Sequence, residues 1–477
     1  MFWHNPAYGP LGLANNNSQD SIPRLYYRLG FWLKLILIII ALGSLVIVVV
    51  NISTDLKEVE DVSSMHKLPL EKLLKNLYDQ ASINIRNSDT QNEIIQKIVK
   101  AKKSPSVMIT SLQFRLFQRL DDRKKLTKFE EMLFDIIYDN LFDWALTDDV
   151  TDFIRQGKIH QRGIVMTTGK KMLPFAVHAI KSIRLWNCTL PVEVFYNGPK
   201  DLPNEAVKAL EKLKGVSVID INQEIDTKSL KLKGWDLKPF SMLVSSFQQV
   251  LLIDADIVFA QSPDKLFKIE EYQKTGALFF ADRHIKLAPH INYPSWFRRI
   301  IPEPHSEALR SSAMFKGLTN YEQESGVVLI DKARGLNGLL AACLLNRPEE
   351  RKEIQTHTWG EKETFWLGFE IAGLLYKFLN EHAGNIGVAT KNIHTGEVIL
   401  CGHVAHFDKK NKLLWFNDGI VEDKRANKFE PGRFLHVSNE GRWVGVCLVA
   451  SALGPVDAEQ AVMINNMKKL WSKDLLA

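Results

Sequence analysis

Two aspartates separated by one alanine, Asp254-Ala255-Asp256, follow the apolar run Val250-Leu251-Leu252-Ile253, and a second apolar run, Ile257-Val258-Phe259, resumes at once. Carboxylates set in that much hydrocarbon are costly to bury unless a cation or a basic side chain compensates them. Alternate residues of an extended strand point to opposite sides, so both carboxylates meet one ion only if the chain turns at Ala255. Hard carboxylate oxygens suit Mg2+ or Mn2+, and such an ion can bridge the two phosphates of a diphosphate and neutralise it as it departs. A three-residue Asp-x-Asp arises by chance about once in a chain of this length, so the context carries the weight. The bland alternative is a capping aspartate with a surface aspartate ahead of Ser262-Pro263.

Two carboxylates rarely complete a metal site. The stretch Cys401-Gly402-His403-Val404-Ala405-His406-Phe407 brings two histidines three apart to a second strand end. His406 is the candidate third ligand, and Lys412, six residues on, is placed to reach a phosphate. Thr167-Thr168-Gly169-Lys170 follows the first predicted strand, where Thr167 and Lys170 either contact a nucleotide or form an ordinary strand-to-helix turn. Glu324 is a candidate carboxylate on the acceptor side of a transferred group. Glu361 and Glu363 open a predicted helix, whose N-terminus also favours acidic residues through its dipole alone. Trp359, Trp366 and Trp415 could stack on a ligand or simply fill the core.

These residues need elements to position them. Residues 164–167, 192–196, 216–219 and 250–253 read as strands, and 174–186, 205–213 and 239–247 as helices. Strands alternating with helices predict an α/β fold with a parallel sheet covered on both faces, in which ligands bind beyond the carboxyl ends of strands. Asp254 stands at such an end. The stretch 283–316, rich in proline and histidine, reads as a long loop over the site.

A chain of 477 residues that is 45% hydrophobic and 24% charged has room for one large domain and accessory segments. Lys and Arg exceed Asp and Glu by 61 to 55, without any block of like charge that would serve a nucleic acid. Residues 31–50 carry one charge, Lys34, and as a helix would span about 30 Å, the thickness of a bilayer core. Arg24, Arg28 and Lys34 precede it while Asp55, Glu58, Glu60 and Asp61 follow, which predicts a single-pass type II orientation. The expected division is a cytosolic tail (1–30), a signal-anchor helix (31–50), a linker (51–68), a helical stem (69–158) and a catalytic domain (159–477). The stem could pack on the catalytic domain or on a partner chain, giving an oligomer. Beyond the membrane the sequons at Asn51 and Asn187 would meet glycosylating enzymes, and the four cysteines, far apart, match no zinc or redox spacing but allow one or two disulfides.

The segments Leu237-Lys238-Pro239-Phe240-Ser241-Met242-Leu243, Val250 through Phe259, Gln323-Glu324-Ser325-Gly326-Val327-Val328-Leu329-Ile330-Asp331, Glu361-Lys362-Glu363-Thr364-Phe365-Trp366 and Gly402 through Gly419 occur in this order. Together they resemble the fungal Golgi α-1,3-mannosyltransferase family over about residues 163–419. That resemblance implies a GT-A fold, GDP-mannose as donor, Mn2+ (or Mg2+) as cofactor, a mannosylated glycoprotein as acceptor, retention of the α configuration, and a catalytic domain in the Golgi lumen. The more distant glycogenin-like transferases share the layout. In them a lysine precedes the Asp-x-Asp, and a His-Phe segment supplies a third metal ligand with a phosphate-binding lysine after it. On that pattern Lys238, Asp254, Asp256, His406 and Lys412 match position by position. Asp408-Lys409 stand where that motif has a tight glycine turn, which leaves the local shape of this loop open. A transferase using another nucleotide sugar, and a non-catalytic binding subunit acting through the stem, are the alternatives.

Overall fold

The computed structural model describes residues 76, 91–102, 106–121, 125–146, 162–285, 292–301, 303–424 and 426–471. The expected cytosolic tail, signal anchor and linker, with Asn51, lie outside these residues. Among the described residues, no helix is long and apolar enough to cross a membrane.

The central sheet is built from β1 (Arg162–Thr167), β2 (Val192–Tyr196), β3 (Val216–Asp220), β4 (Gln249–Ile253), β6 (Ala277–Ala281), β7 (Gln323–Asp331) and β8 (Lys377–Phe378), in the order β3-β2-β1-β4-β7-β6-β8. β1 runs parallel to β2 and to β4, with Ile164 opposite both Val192 and Leu251. β7 enters antiparallel to β4, Leu251 opposite Leu329, and β6 is antiparallel to β7. The sheet is therefore mixed, where alternation of strands and helices predicts an all-parallel one. An apolar run such as Val327 to Ile330 reveals burial but not direction. The mixture has a consequence for chemistry. The carboxyl ends of β1, β4 and β6 and the amino end of β7 all fall on one edge, so Thr167, Asp254, Asp282 and Glu324 are delivered to the same place.

The helices α4 (Leu173–Leu185), α5 (Asn204–Glu211) and α6 (Leu237–Val244) lie within about two residues of the predicted spans at most ends. Ahead of them come α1 (Gln91–Lys102), α2 (Val107–Asp121) and α3 (Lys128–Phe142), the last opened by a capping box between Thr127 and Glu130. This predicted stem is part of the domain core. α2 buries Val107, Ile109, Leu112, Phe114, Leu116, Phe117 and Leu120 in the cluster that holds α7 (Lys332–Leu345) and α8 (Thr364–Ala372). At roughly 1.5–3 kcal/mol each these seven side chains contribute on the order of 10–20 kcal/mol of gross hydrophobic stabilisation. Arg115 Nε and Gln118 Nε2 of α2 donate to the carbonyls of Ile371 and Ala372, capping α8 from the side. Its apolar face is thus occupied by the domain's own helices.

A second sheet follows, with β9 (Gly384–Lys391) and β10 (Val398–Phe407) at its centre. β11 (Leu413–Phe416) pairs on one side with β10 and on the other with β5 (Val258–Phe259), Trp415 opposite Phe259. This pairing hooks the C-terminal sheet onto the residues immediately after the Asp-x-Asp. Cys401 of β10 and Cys447 of the neighbouring strand Cys447–Ala450 form a disulfide, while Cys188 and Cys343 are free and buried. The predicted loop 283–316 is instead largely ordered on the core: helix Tyr293–Ile300 buries Trp296, Phe297 and Ile300. Its apolar residues are spaced too briefly between prolines to register as a helix in sequence.

Candidate active site

A cavity of about 520 Å3 opens at the shared sheet edge. Seven carboxylates line it, from Asp201, Asp254, Asp256, Asp282, Glu324, Glu361 and Asp418, against four basic side chains, Lys238, Arg283, Lys362 and Lys424. The acidic excess is the first electrostatic fact about the site: it favours a cation.

Lys238, fully buried near the start of α6, donates to Asp254 Oδ1 at 2.6 Å, Glu361 Oε1 at 2.9 Å and Ser325 Oγ at 3.2 Å. Ser325 donates in turn to Glu361 at 2.8 Å. Burial alone would lower the lysine's pKa, but the two carboxylates raise it above its ordinary value. The trio carries one excess negative charge. Burial, together with the charges of Asp256 and Glu361, pushes the Asp254 carboxyl up to about 6 despite Lys238.

Asp256 faces the other way. Its carboxylate pairs with Lys424, whose Nζ is also 3.3 Å from Asp418 Oδ1. The turn that makes this possible is Asp418-Gly419, at φ 69° and 81°, which brings the Gly419 N–H to the Asp256 carbonyl at 2.7 Å. Burial opposes the charge on Lys424, and Asp256 and Asp418 hold its pKa above the usual lysine value regardless. Opposite, Asp282 is bound by Lys362 at 2.6 Å and Arg283 at 3.1 Å, which keep it ionised well below the usual carboxylate range although it is buried. Glu324 Oε1 accepts from the Gly326 N–H at 2.9 Å and from Asn417 Nδ2 at 3.1 Å, and burial pushes this carboxyl up to about 7. A Cβ on residue 326 would lie 3.1 Å from that oxygen and 2.9 Å from Ile257 Cδ1, so glycine is what lets the carboxylate approach.

The structure brings Thr167, Lys238, Asp254, Asp256, Glu324 and Glu361 together and leaves four predicted residues outside. His406 does not line the cavity. β10 continues through Phe407 rather than ending before it, so the imidazole lies in the apolar layer, stacked on Trp415 at 4.0 Å and edge-on to Phe280 at 5.3 Å. Among the described residues neither of its nitrogens has a hydrogen-bond partner, and burial drives its pKa down to about 3. His403 is occupied with the carbonyl of Asn417 at 2.8 Å. Lys412 is carried away by the turn between β10 and β11, where Asp408 accepts from the N–H groups of Lys410 and Lys412 and Asn411 takes a φ of 59°. Its ammonium lies 3.5 Å from Glu459 on the opposite flank. Lys170 is exposed and joins the site only through its N–H, which donates to the Asp201 carbonyl. Glu363 turns inward, accepting from the N–H groups of Glu322 and Gln323 and from Trp366 Nε1, and so fastens β7 rather than facing a ligand. The charged cavity residues not singled out by sequence are Asp201, Asp282, Arg283, Lys362, Asp418 and Lys424. Only Asn417-Asp418-Gly419, a turn signal directly after an apolar strand, was there to be read.

Among the described residues, no three His, Cys, Asp or Glu side chains converge as a ready-made metal cage. The donor chemistry nevertheless fits a hard divalent ion. Asp256 and Asp418 share the Lys424 ammonium, a cation held between two carboxylates, and the charge of Asp256 reaches Asp254. The α/β sheet thus gathers a strand-end Asp-x-Asp and an acidic excess at one edge. Residues 161–408 match the family described as "Mannosyltransferase putative", and the chain belongs to that family. It is 27% identical to the alpha-1,3-mannosyltransferase MNT3 of Saccharomyces cerevisiae over 56% of this chain and 48% of that protein. It is also 27% identical to the alpha-1,3-mannosyltransferase MNN1 of the same organism, over 60% and 43%. The chain thus spans about half the length of the curated relatives it matches. Among solved structures, the Mn/GDP form of core-mannan synthase A (CmsA/Ktr4) from Aspergillus fumigatus aligns at 13% identity and TM-score 0.34, over 50% of this chain and 78% of its own. The mannosyltransferase Ktr4p from S. cerevisiae in complex with GDP aligns at 9% and 0.31, over 64% and 84%.

Proposed function

We propose that this protein is a metal-dependent, retaining GT-A mannosyltransferase that moves mannose from GDP-mannose to a mannosylated glycoprotein glycan, forming an α-1,3 linkage in the Golgi lumen. The observation that carries the reading is the cation-seeking pair Asp254 and Asp256 at the end of β4, in a chain of the mannosyltransferase family. Asp254, Asp256 and Asp418 would hold Mn2+ (or Mg2+), which when bound neutralises the departing diphosphate. The family's named relatives support α-1,3 transfer. The Cys401–Cys447 bridge and an exposed Asn187 at the end of α4 suit an oxidising, glycosylating compartment, in keeping with the type II anchor read from residues 31–50.

Each protein group has a task in this reading. Lys238 locks Asp254 and Glu361 in place, so the metal-facing carboxylate is oriented before any ligand arrives. Lys424 takes the phosphate-facing role that Lys412 is too distant to fill. Thr167 and the backbone around Gly169 offer polar contacts at the end of β1, where nucleotides bind in such sheets. In this reading the acceptor hydroxyl attacks on the face the leaving group departs from, with the departing phosphate taking the proton, and Glu324, its carboxyl pushed up by burial, is held in place by the Gly326 N–H and Asn417. Double displacement through Glu324 would instead leave a mannosyl adduct on that residue, detectable by mass spectrometry.

The test is the purified full-length chain with a panel of nucleotide sugars, in Mn2+ or in EDTA. Turnover of GDP-mannose only with the metal, lost together with Mn2+-dependent GDP binding in Asp256→Asn, is the expected result. Turnover of another donor while GDP-mannose is ignored would overturn the donor. No transfer from any donor would favour a non-catalytic binding subunit.

A further inference from the structure

Nine tryptophans fall within the described residues, and among these only Trp235 and Trp359 are exposed, by 55% and 58%. Both line the acidic cavity. A large aromatic ring left in water is unfavourable unless something covers it, and two such rings at one mouth, with the remaining seven tryptophans buried or half-buried, is not how surface aromatics scatter.

The turns that carry both rings are anchored. Trp235 sits on a short turn, Gly234–Asp236, whose Asp236 is buried and paired with Arg351 at 3.1 Å, and α6 with Lys238 begins directly after it. Trp359 lies between buried Thr358, whose hydroxyl donates to the Ile354 carbonyl at 3.2 Å, and buried Glu361, the partner of Lys238. Gly360, at φ 67°, brings the two turns together: a Cβ there would stand 3.3 Å from the Trp235 ring. Rigid, presented rings lose little conformational freedom when they bind.

We infer that Trp235 and Trp359 form a platform for a pyranose ring of the acceptor glycan, with Glu361 and neighbouring carboxylates accepting hydrogen bonds from its hydroxyls. The inference rests on the proposed transferase reading for the word acceptor. A pyranose has the matching chemistry, an apolar C–H face for the aromatic ring and a rim of hydroxyls for carboxylates. Position argues against the nucleobase as occupant. In a sheet of this order the nucleotide crevice lies where strand order reverses, between β1 and β4. Glu361 bonds Ser325 of β7, so the Trp359 turn stands on the other side of β4.

The experiment uses the full chain and its Trp235→Ala, Trp359→Ala, double alanine, Trp235→Phe and Trp359→Phe variants. Acceptor KM with α-linked mannobiose, GDP affinity in saturating Mn2+, and quenching of tryptophan fluorescence by mannobiose without donor are measured on each. Either alanine variant should raise acceptor KM by about tenfold. GDP affinity should stay within about twofold, and phenylalanine should restore most of the loss. Quenching by mannobiose should shrink in proportion to the tryptophans removed. Unchanged acceptor KM and quenching in the double alanine variant would overturn the platform, and a loss of GDP affinity in step with the substitutions would assign the rings to the base. If the wild-type chain transferred no sugar at all, the transferase reading would fall, and mannobiose quenching would still decide whether a sugar occupies the platform.

Discussion

Lys424→Met removes the ammonium that stands between Asp256 and Asp418 while keeping most of the side-chain length. Asp256 is 6% exposed, Lys424 25% and Asp418 26%, so the pair is partly shielded from water. Opposite charges at this range attract by about 4 kcal/mol at an effective dielectric of about 20. Desolvation and the exposed quarter of the lysine reduce the net contribution to on the order of 1–3 kcal/mol. Without a divalent ion the variant should therefore lose about that much stability, because Asp256 and Asp418 are left without the ammonium they share. Mn2+ no longer has to displace an ammonium, so its affinity for the ligand-free protein should rise by roughly tenfold to a hundredfold, at 1.4 kcal/mol per tenfold. GDP in saturating Mn2+ should bind about tenfold more weakly, having lost a phosphate partner. Titration calorimetry with Mn2+ alone, then with GDP, and thermal melts in EDTA and in Mn2+ read all three effects. A folded Lys424→Met protein whose Mn2+ affinity is unchanged or weaker would refute the reasoning, since the lysine would then not occupy the metal's place.

His406→Phe should leave Mn2+ affinity intact. It should also remove about 2 kcal/mol of acid destabilisation between pH about 6.5 and about 5, because an imidazole whose folded pKa is depressed to about 3 stabilises the fold above 6.5 and loses that contribution as pH falls. A pH-independent difference from wild type in denaturant melts, with metal binding lost, would mean His406 reaches the metal. Glu363→Ala strands three buried donors at about 1–3 kcal/mol each and should be severely destabilised, whereas Glu361→Gln should melt near wild type yet lose turnover; the reverse pattern would exchange their roles. Replacing Cys401 and Cys447 by serine opens a loop of 46 residues and should cost about 2–4 kcal/mol of stability in urea titrations, with no change under reducing conditions, where the wild type should fall to match.

The parts of the site legible in sequence were those tied to a strong local pattern. Asp254 and Asp256 follow four consecutive apolar residues, and that run fixes both a buried strand and the place where it must surface. Lys238, Glu324 and Glu361 sit in segments whose order along the chain carried a resemblance. The failures share a physical cause: each depended on where a strand stops or which way it runs. His406 was misplaced because β10 extends one residue past it and pairs with β11, which turns the side chain into the layer between sheets. Lys412 was misplaced because Asp408 and Asn411 build the hairpin turn that glycine builds elsewhere, and build it facing outward. Lys424 could not have been found from spacing, since it lies 168 residues beyond Asp256 and only the β5–β11 pairing and the Asp418-Gly419 turn bring the two together. On the proposed reading, the positive charge that would serve a phosphate comes from beyond the turn after β11, on Lys424, and pairs with two carboxylates proposed to hold the metal. Affinities for metal and nucleotide should therefore be coupled through this side chain as well as through the metal's own contact with the diphosphate, and the share carried by Lys424 should be lost when it is replaced.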